Sequence, residues 1–306
     1  MSEIAHIPQL RFPGFSGEWE EKSLGSVTSK IQDGTHFSPT VLESGDYKYI
    51  TSKNIKNGFL DLSDISYLSK DEHDNIYKRC DVKFNDVLIT KDGSKTGNVC
   101  LNTLNEPFSL LSSVAYIRSD SSKSTNEFIY QYICSPRGGY LIRSSMAGQA
   151  ITRITLTKLR GFKFYYPTKP EQTKIAAFLT AVDNKIEQLS KKQELLGEYK
   201  KSLMQQIFSQ SIRFKADDGS EFPDWKEKIL GDVADVYQPR TITQGDLTVE
   251  GYDVYGANGI IGKYNEFNHE YEQIAITCRG NTCGTVNFTK PKSWITGNAM
   301  VVNLDN

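Results

Sequence analysis

Apolar residues recur every seven positions along one stretch of the chain. Ile175, Val182, Leu189, Leu196 and Leu203 make one series, and Leu179, Ile186 and Ile207 a second. From Glu171 to about Gln210 there is no proline, a single glycine (Gly197) and a high content of strong helix formers, so the pattern predicts one long helix. Five heptads argue for a coiled-coil seam rather than the face of a globular helix. Gln193 and Lys200 fill the second series in its middle, and polar seam residues of this kind set register and partner choice at a cost in stability. At about 1.5 Å per residue, roughly 40 residues make a rod about 60 Å long.

Upstream the period changes. Asp46 to Thr51, Val87 to Thr90 and Val114 to Ile117 are β-branched and aromatic runs, punctuated by Asp33-Gly34, Asn57-Gly58 and Asp92-Gly93, and each predicts a strand. Two short helices are expected around Asn126 to Cys134 and Gly138 to Met146. The unit is therefore mixed α and β, about 165 residues long.

Part of that unit occurs twice. Trp19-Glu20-Glu21-Lys22-Ser23-Leu24-Gly25-Ser26-Val27 aligns with Trp225-Lys226-Glu227-Lys228-Ile229-Leu230-Gly231-Asp232-Val233 at an offset of 206 residues. Arg11-Phe12 precedes the first block as Arg213-Phe214 precedes the second. Deeper in, Leu88-Ile89-Thr90 with Gly93, Gly97 and Val99 aligns with Ala275-Ile276-Thr277, Gly280, Gly284 and Val286, where the offset is 187. Blocks in the same order, anchored on rare tryptophans, indicate duplication with loop deletions. The expected α+β organisation is a mixed domain over 1–168, a coiled-coil spacer helix over 169–211 and an incomplete second copy over 212–306, ending at the equivalent of about Ser119.

Charge sharpens the picture. The net charge is −1, yet Leu88 to Tyr166 carries ten basic and four acidic residues, an excess of +6 that leaves −7 elsewhere. A basic segment in an acidic chain is the signature of a phosphate-binding face, although unpaired surface lysines give the same count. Five cysteines at irregular spacing suggest neither a disulfide framework nor zinc. The chain lacks the roughly 20 consecutive apolar residues of a membrane span, and with no basic-then-apolar leader at its start the expected location is the cytoplasm.

Asp92-Gly93-Ser94-Lys95-Thr96-Gly97 invites comparison with a P-loop, but Ile89 stands where its first glycine belongs and Ser94 where glycine must precede the lysine. Both copies instead keep a strand running into a tight glycine turn. For the glycines themselves a positive-φ hairpin explains the pattern; for the polar residues around them, contact with DNA phosphates or base edges does. The candidate DNA contacts are Lys91, Ser94, Lys95, Thr96, Arg137, Arg143, Gln149, Thr152, Arg153, Arg279 and Asn281, with Met146 to Thr155 as a second groove-facing loop or a solvated connection. The histidines are scattered, and neither a hydrolase, metalloprotease or dinucleotide motif nor an adenine methyltransferase motif is present. No catalytic residue, metal site or bound cofactor is expected.

Tyr165-Tyr166-Pro167, then Pro170-Glu171-Gln172 and Ile175-Ala176-Ala177-Phe178-Leu179 opening a heptad helix, resemble the conserved spacer of type I restriction-modification specificity subunits. The Trp19 and Trp225 blocks and Tyr255 to Gly262 are similar to that family's target-recognition domains. The resemblance implies a non-catalytic subunit that reads the halves of a split double-stranded DNA target. It also implies that the spacer docks methyltransferase subunits and that restriction subunits join them, so that S-adenosylmethionine, Mg²⁺ and ATP belong to those partners. In the family two spacer helices pack antiparallel in one chain, whereas this sequence shows one. A homodimer through Ile175, Leu179, Val182, Ile186, Leu189, Leu196, Leu203 and Ile207 would supply the second and favour a palindromic target. A coiled-coil adaptor that binds no DNA is the competing reading, and a nuclease with an unrecognised site the weakest.

Overall fold

The computed structural model describes residues 8–146 and 152–303. The chain divides into two compact units, Met1–Gln205 and Gln206–Asn306. In the first, the elements run β1 (Glu20–Ser23), β2 (Thr28–Asp33), β3 (Tyr47–Ile50), β4 (Ser66–Leu68), α1 (Lys70–Tyr77), β5 (Val87–Thr90), β6 (Val99–Leu101), β7 (Ser109–Leu110), β8 (Val114–Ser119), α2 (Asn126–Cys134), α3 (Pro136–Met146), α4 (Leu156–Arg160), β9 (Lys163–Tyr166) and α5 (Lys169–Phe208).

Strands β2, β8, β5 and β6 form an antiparallel sheet in that order; β4, β3 and β7 form a second, with β3 and β7 parallel; β1 pairs with β9. The two-residue period of a strand sorts its side chains between two cores. Val87 and Ile89 of β5, with Ala115 and Ile117 of β8, face a cluster built with Phe128, Ile133, Phe164 and Ala176 from α2, β9 and α5. Leu88, Val114 and Tyr116 face the opposite cluster with Tyr49, Ile50, Ile76 and Leu110. A strand buried on both faces reads as an unbroken apolar run, as Val87-Leu88-Ile89 does. Hydroxyl side chains cap three of the helices: Ser69, Thr125 and Thr155 each accept from the backbone N–H three residues on.

The predicted long helix is present as α5, 40 residues from Lys169 to Phe208. Its first turns are packed, Glu171, Gln172 and Ala176 being buried, but every residue from Ala181 to Ser202 is exposed. Helices α1 and α4 were not anticipated. The first is a polar sequence that buries only His73 and Ile76, and the second has five residues, so neither carries a readable apolar period.

The second unit repeats the topology of the two larger sheets, without a counterpart of the β1–β9 pair among its described residues. Its strands are β10 (Asp235–Tyr237), β11 (Tyr252–Gly256), β12 (Gly259–Tyr264), β13 (Ile274–Thr277), β14 (Val286–Phe288), β15 (Trp294–Ile295) and β16 (Ala299–Asn303). They assemble as β10-β16-β13-β14 and β12-β11-β15, with β11 and β15 parallel. Register is kept: Thr90 opposite Val114 becomes Thr277 opposite Ala299, and Val87 opposite Leu101 becomes Ile274 opposite Phe288. Among the described residues the second unit has no counterpart of α1 and only two residues between β11 and β12 where fifteen join β3 to β4, which together shrink the offset; nor has it counterparts of α2 to α4 and β9. Consequently the sheet face that those elements cover in the first unit is more open in the second, where Ile274, Ile276 and Met300 are partly exposed in place of the buried Val87, Ile89 and Ala115. Leu24, Val27 and Val99 are at most 3% exposed, whereas their equivalents Leu230, Val233 and Val286 are 51%, 50% and 63% exposed. No helix among the described residues is long and apolar enough to cross a membrane.

Candidate nucleic-acid interface

The turn after β5 is fixed by its own backbone. Gly97 N–H donates to Thr90 O at 2.8 Å and Thr96 N–H to Gly93 O at 3.0 Å, while Gly93 and Gly97 take φ of +96° and +99°, the region where glycine meets no Cβ penalty. In the second unit Gly284 N–H donates to Thr277 O at 2.9 Å and Cys283 N–H to Gly280 O at 3.1 Å, with φ of +86° and +88° at Gly280 and Gly284. One loop conformation is thus built twice from different side chains.

Around the first turn the chain gathers most of the expected contacts. Ser94 and Lys95 are exposed at its tip. Thr96 Oγ1 donates to Thr152 O at 3.1 Å, Thr152 Oγ1 donates to Gly93 O at 2.7 Å, and Gly93 N–H donates to Thr152 O at 3.1 Å. Arg153 Nε lies 3.1 Å from Asp92 Oδ1. Helix α3 seats on the same loop through Ile142, whose Cγ2 would stand 2.9 Å from a Cβ on Gly97. Arg143, one residue on, is exposed, as is Arg137, whose guanidinium stacks 5.7 Å from the Tyr140 ring. Turn, α3 and residues 152–154 are therefore packed together, with Lys95, Arg137, Arg143 and Arg153 exposed. Gln149 lies outside the described residues. In the second unit Arg279 and Asn281 are exposed on the equivalent turn, which is tied by a Thr282 to Asn258 side-chain hydrogen bond.

Lys91 occupies a different place from the surface contact expected. Its side chain is 2% exposed, with Nζ 2.9 Å from Asp92 Oδ2 and 3.4 Å from Asp33 Oδ2. Sequence reasoning missed Asp33, which lies 58 positions upstream at the end of β2; only the β2–β8–β5 pairing brings it to the turn. It missed equally the Arg11–Glu171 pair that ties the start of the chain to α5.

On α5, Ile175 packs against the core, while Val182, Ile186, Leu189 and Leu196 are exposed. Among the described residues no group of three His, Cys, Asp or Glu side chains is placed to hold a metal ion.

The fold has known relatives. The chain aligns over 99% of its length, at 17% identity and a TM-score of 0.64, with the crystal structure of a type I restriction-modification system S subunit from M. genitalium, covering 75% of that chain. It is 25% identical over 76% of its length to the type I restriction enzyme MjaVIII specificity subunit of Methanocaldococcus jannaschii, and 23% identical over 75% to the putative MjaX specificity subunit of the same organism. It spans 53% and 54% of those two proteins, about half the length of the curated relatives it matches. The family model for the type I restriction modification DNA specificity domain matches twice, over residues 16–196 and 223–306, in keeping with the two sheet units, and the chain belongs to that family.

Proposed function

We propose that this chain is the DNA sequence-specificity component of a type I restriction-modification complex. The observation that carries the reading is the duplicated glycine turn, one backbone conformation displaying Ser94, Lys95 and Thr96 in the first unit and Arg279 and Asn281 in the second. Two turns with the same scaffold and different side chains suit a bipartite target whose halves differ, because phosphate contacts position a module while side chains at base edges specify sequence. Lys95, Arg137, Arg143 and Arg153 supply the cationic surface on the first unit in this reading, and Gln149, outside the described residues, stays a candidate contact.

The exposed seam of α5 is read as the docking element for methyltransferase subunits or for a second copy. Antiparallel pairing centred on Lys191 sets Ile175 against Ile207, Leu179 against Leu203 and Ile186 against Leu196, and leaves Gln193 and Lys200 facing Leu189 and Val182. The chain itself performs no catalysis in this reading, and S-adenosylmethionine, Mg²⁺ and ATP are bound by the methyltransferase and restriction subunits.

The test is co-expression with type I methyltransferase subunits in a methylation-free host, followed by single-molecule mapping of N6-methyladenine. A new split motif that depends on this chain supports the proposal, and its symmetry distinguishes one chain from a pair. No new motif, with methyltransferase subunits that are active beside another specificity subunit, refutes it.

A further inference from the structure

The ion network beneath the first turn is not needed to form the turn. In the second unit the positions of Asp33, Lys91 and Asp92 are held by Gln238, Cys278 and Arg279, yet the same strands pair in the same register. The turn hydrogen bonds also agree within about 0.1 Å. Burying a lysine between carboxylates costs desolvation, and ion pairs of this kind commonly add little net stability while specifying one arrangement of the groups around them. Something other than the local fold must account for Lys91.

The first unit's turn also meets the segment 152–154, tied partly by Gly93 and Thr96 to Thr152 and partly through Lys91 and Asp92. Lys91 N–H donates to Ser113 O and Lys91 O accepts from Ile154 N–H, both at 2.8 Å. The ammonium holds Asp92 through Oδ2, which leaves Oδ1 facing Arg153 Nε. Asp33, the third member, is itself flanked by His36 Nε2 at 3.3 Å and Arg79 Nη1 at 3.5 Å, so the buried charges are balanced from both sides. The chain of contacts Asp33–Lys91–Asp92–Arg153 ends on a half-exposed guanidinium at the surface that carries Lys95.

We propose that Lys91 and Asp92 are positioning residues for DNA readout by the first unit: they fix Arg153 and the glycine turn as one rigid reading edge. This inference rests on the DNA-reading function proposed above and goes further by separating the residues that touch DNA from those that aim them. The Asp92 carboxylate, at ion-pair distance from Nε but without hydrogen-bond alignment, biases the direction of a guanidinium whose planar fork matches a bidentate contact to guanine. Without Asp92 the guanidinium loses the anchor at its Nε, and the extra ordering needed on binding costs specific affinity and leaves its charge in place.

The experiment uses the full chain assembled with methyltransferase subunits, once the wild type has defined a motif. Asp92→Asn keeps shape and removes the charge; Lys91→Met removes the buried cation at similar volume. For each, affinity is measured on a duplex carrying the motif and on a scrambled duplex, across a salt series, together with Tm and the map of methylated sites. The expected result for Asp92→Asn is roughly a ten- to hundredfold loss of affinity for the motif. Affinity for the scrambled duplex and the salt slope stay unchanged, Tm falls because the buried Lys91 ammonium loses one of its two carboxylates, and the map relaxes in one half of the motif only. Lys91→Met added to Asp92→Asn should bring no further loss, since both act through Arg153. Unchanged motif affinity in Asp92→Asn overturns the inference. So does a parallel loss on both duplexes, which would make the carboxylate a general structural element. If Lys91→Met fails to fold, Asp92→Asn alone decides. Absence of any motif with the wild-type chain overturns the functional reading itself, and this inference with it.

Discussion

Arg11 and Glu171 stand 160 residues apart in sequence and meet side by side, Nε to Oε1 at 2.7 Å and Nη2 to Oε2 at 2.6 Å. The same guanidinium also donates to the backbone oxygens of Ser16 and Gly17. Beside the pair, Phe12 packs edge-on to Phe178 with centroids 5.6 Å apart. The start of the chain is thereby clamped to the first turns of α5, where Glu171 is fully buried. Arg213, the equivalent of Arg11, takes the exposed Asp224 instead, so the repeated Arg-Phe pair is built into two different surroundings.

Removing one side of that pair strands the other. Glu171→Ala leaves an arginine without its bidentate acceptor in a mostly enclosed site, and breaking such a pair is far more costly than never having had it. The expected outcome is a drop of roughly 5 to 10 °C in the Tm of the first unit, read by calorimetry. Arg213→Ala should leave the melting curve nearly unchanged, because its partner is solvated. Equal effects of the two substitutions would contradict the clamp.

The duplication offers a matched pair for measuring burial. Leu24 is fully buried and Leu230, at the same place in the repeat, is half exposed. Leu24→Ala should cost about 2–5 kcal/mol, the range for emptying a core site, and Leu230→Ala less than about 1 kcal/mol. Denaturant titration of the two variants checks this. The second unit, with one sheet face open, should also exchange its amide hydrogens in β10 and β14 faster than the first unit does in β2 and β6.

Acid should loosen the first unit in a defined window. The His73 ring is buried, stacked on Tyr47 at 4.2 Å and paired through Nδ1 with Ser109 Oγ at 3.0 Å. Burial holds its pKa below the ordinary 6.5, the Lys70 ammonium adding to this and Asp74 opposing it. Above about 6.5 both folded and unfolded rings are neutral and nothing is lost. As pH falls below that value the unfolded chain takes up a proton that the folded ring resists, so stability declines. Tm measured from pH 7.5 to 5 should fall, and His73→Asn should flatten the decline while lowering Tm at pH 7.5. An unchanged slope in the variant would remove His73 as the cause.

How far the sequence disclosed this protein follows from which signals are local. The α5 heptads, the Val87 and Val114 strands and the Trp19/Trp225 repeat are written in period and order, and all appear in the fold. Ser94, Lys95 and Thr96 were legible as a displayed turn because glycines at fixed spacing demand positive φ. Lys91 was not legible as buried, since its acceptors come from Asp33 across the sheet and from its own neighbour, and nothing in a lysine following a strand distinguishes the two fates. Nor did sequence show that α1 exists, because a polar helix burying two residues has no period to read.

Gly97 joins the fold to the proposed reading surface, and its counterpart separates the two demands made on it. Both Gly97 and Gly284 hold positive φ, +99° and +88°, so alanine at either costs about 1 kcal/mol or more in backbone strain. At Gly284 nothing lies within 4 Å of the added methyl, whereas at Gly97 it meets Ile142 Cγ2 at 2.9 Å. Ile142 belongs to α3 and to the buried core, so it can yield only by moving the helix that carries Arg137 and Arg143 or by leaving its rotamer, each adding on the order of 1 kcal/mol. Gly97→Ala should therefore destabilise its unit by about 2 kcal/mol, Gly284→Ala by about half that. If α3 rather than the rotamer gives way, Gly97→Ala also weakens DNA binding beyond what its stability loss explains. A Gly97→Ala, Ile142→Ala double variant tests this, because removing the colliding Cγ2 should restore binding even though emptying the core site costs further stability. Binding that is not restored would show that the turn and α3 are not coupled through this contact.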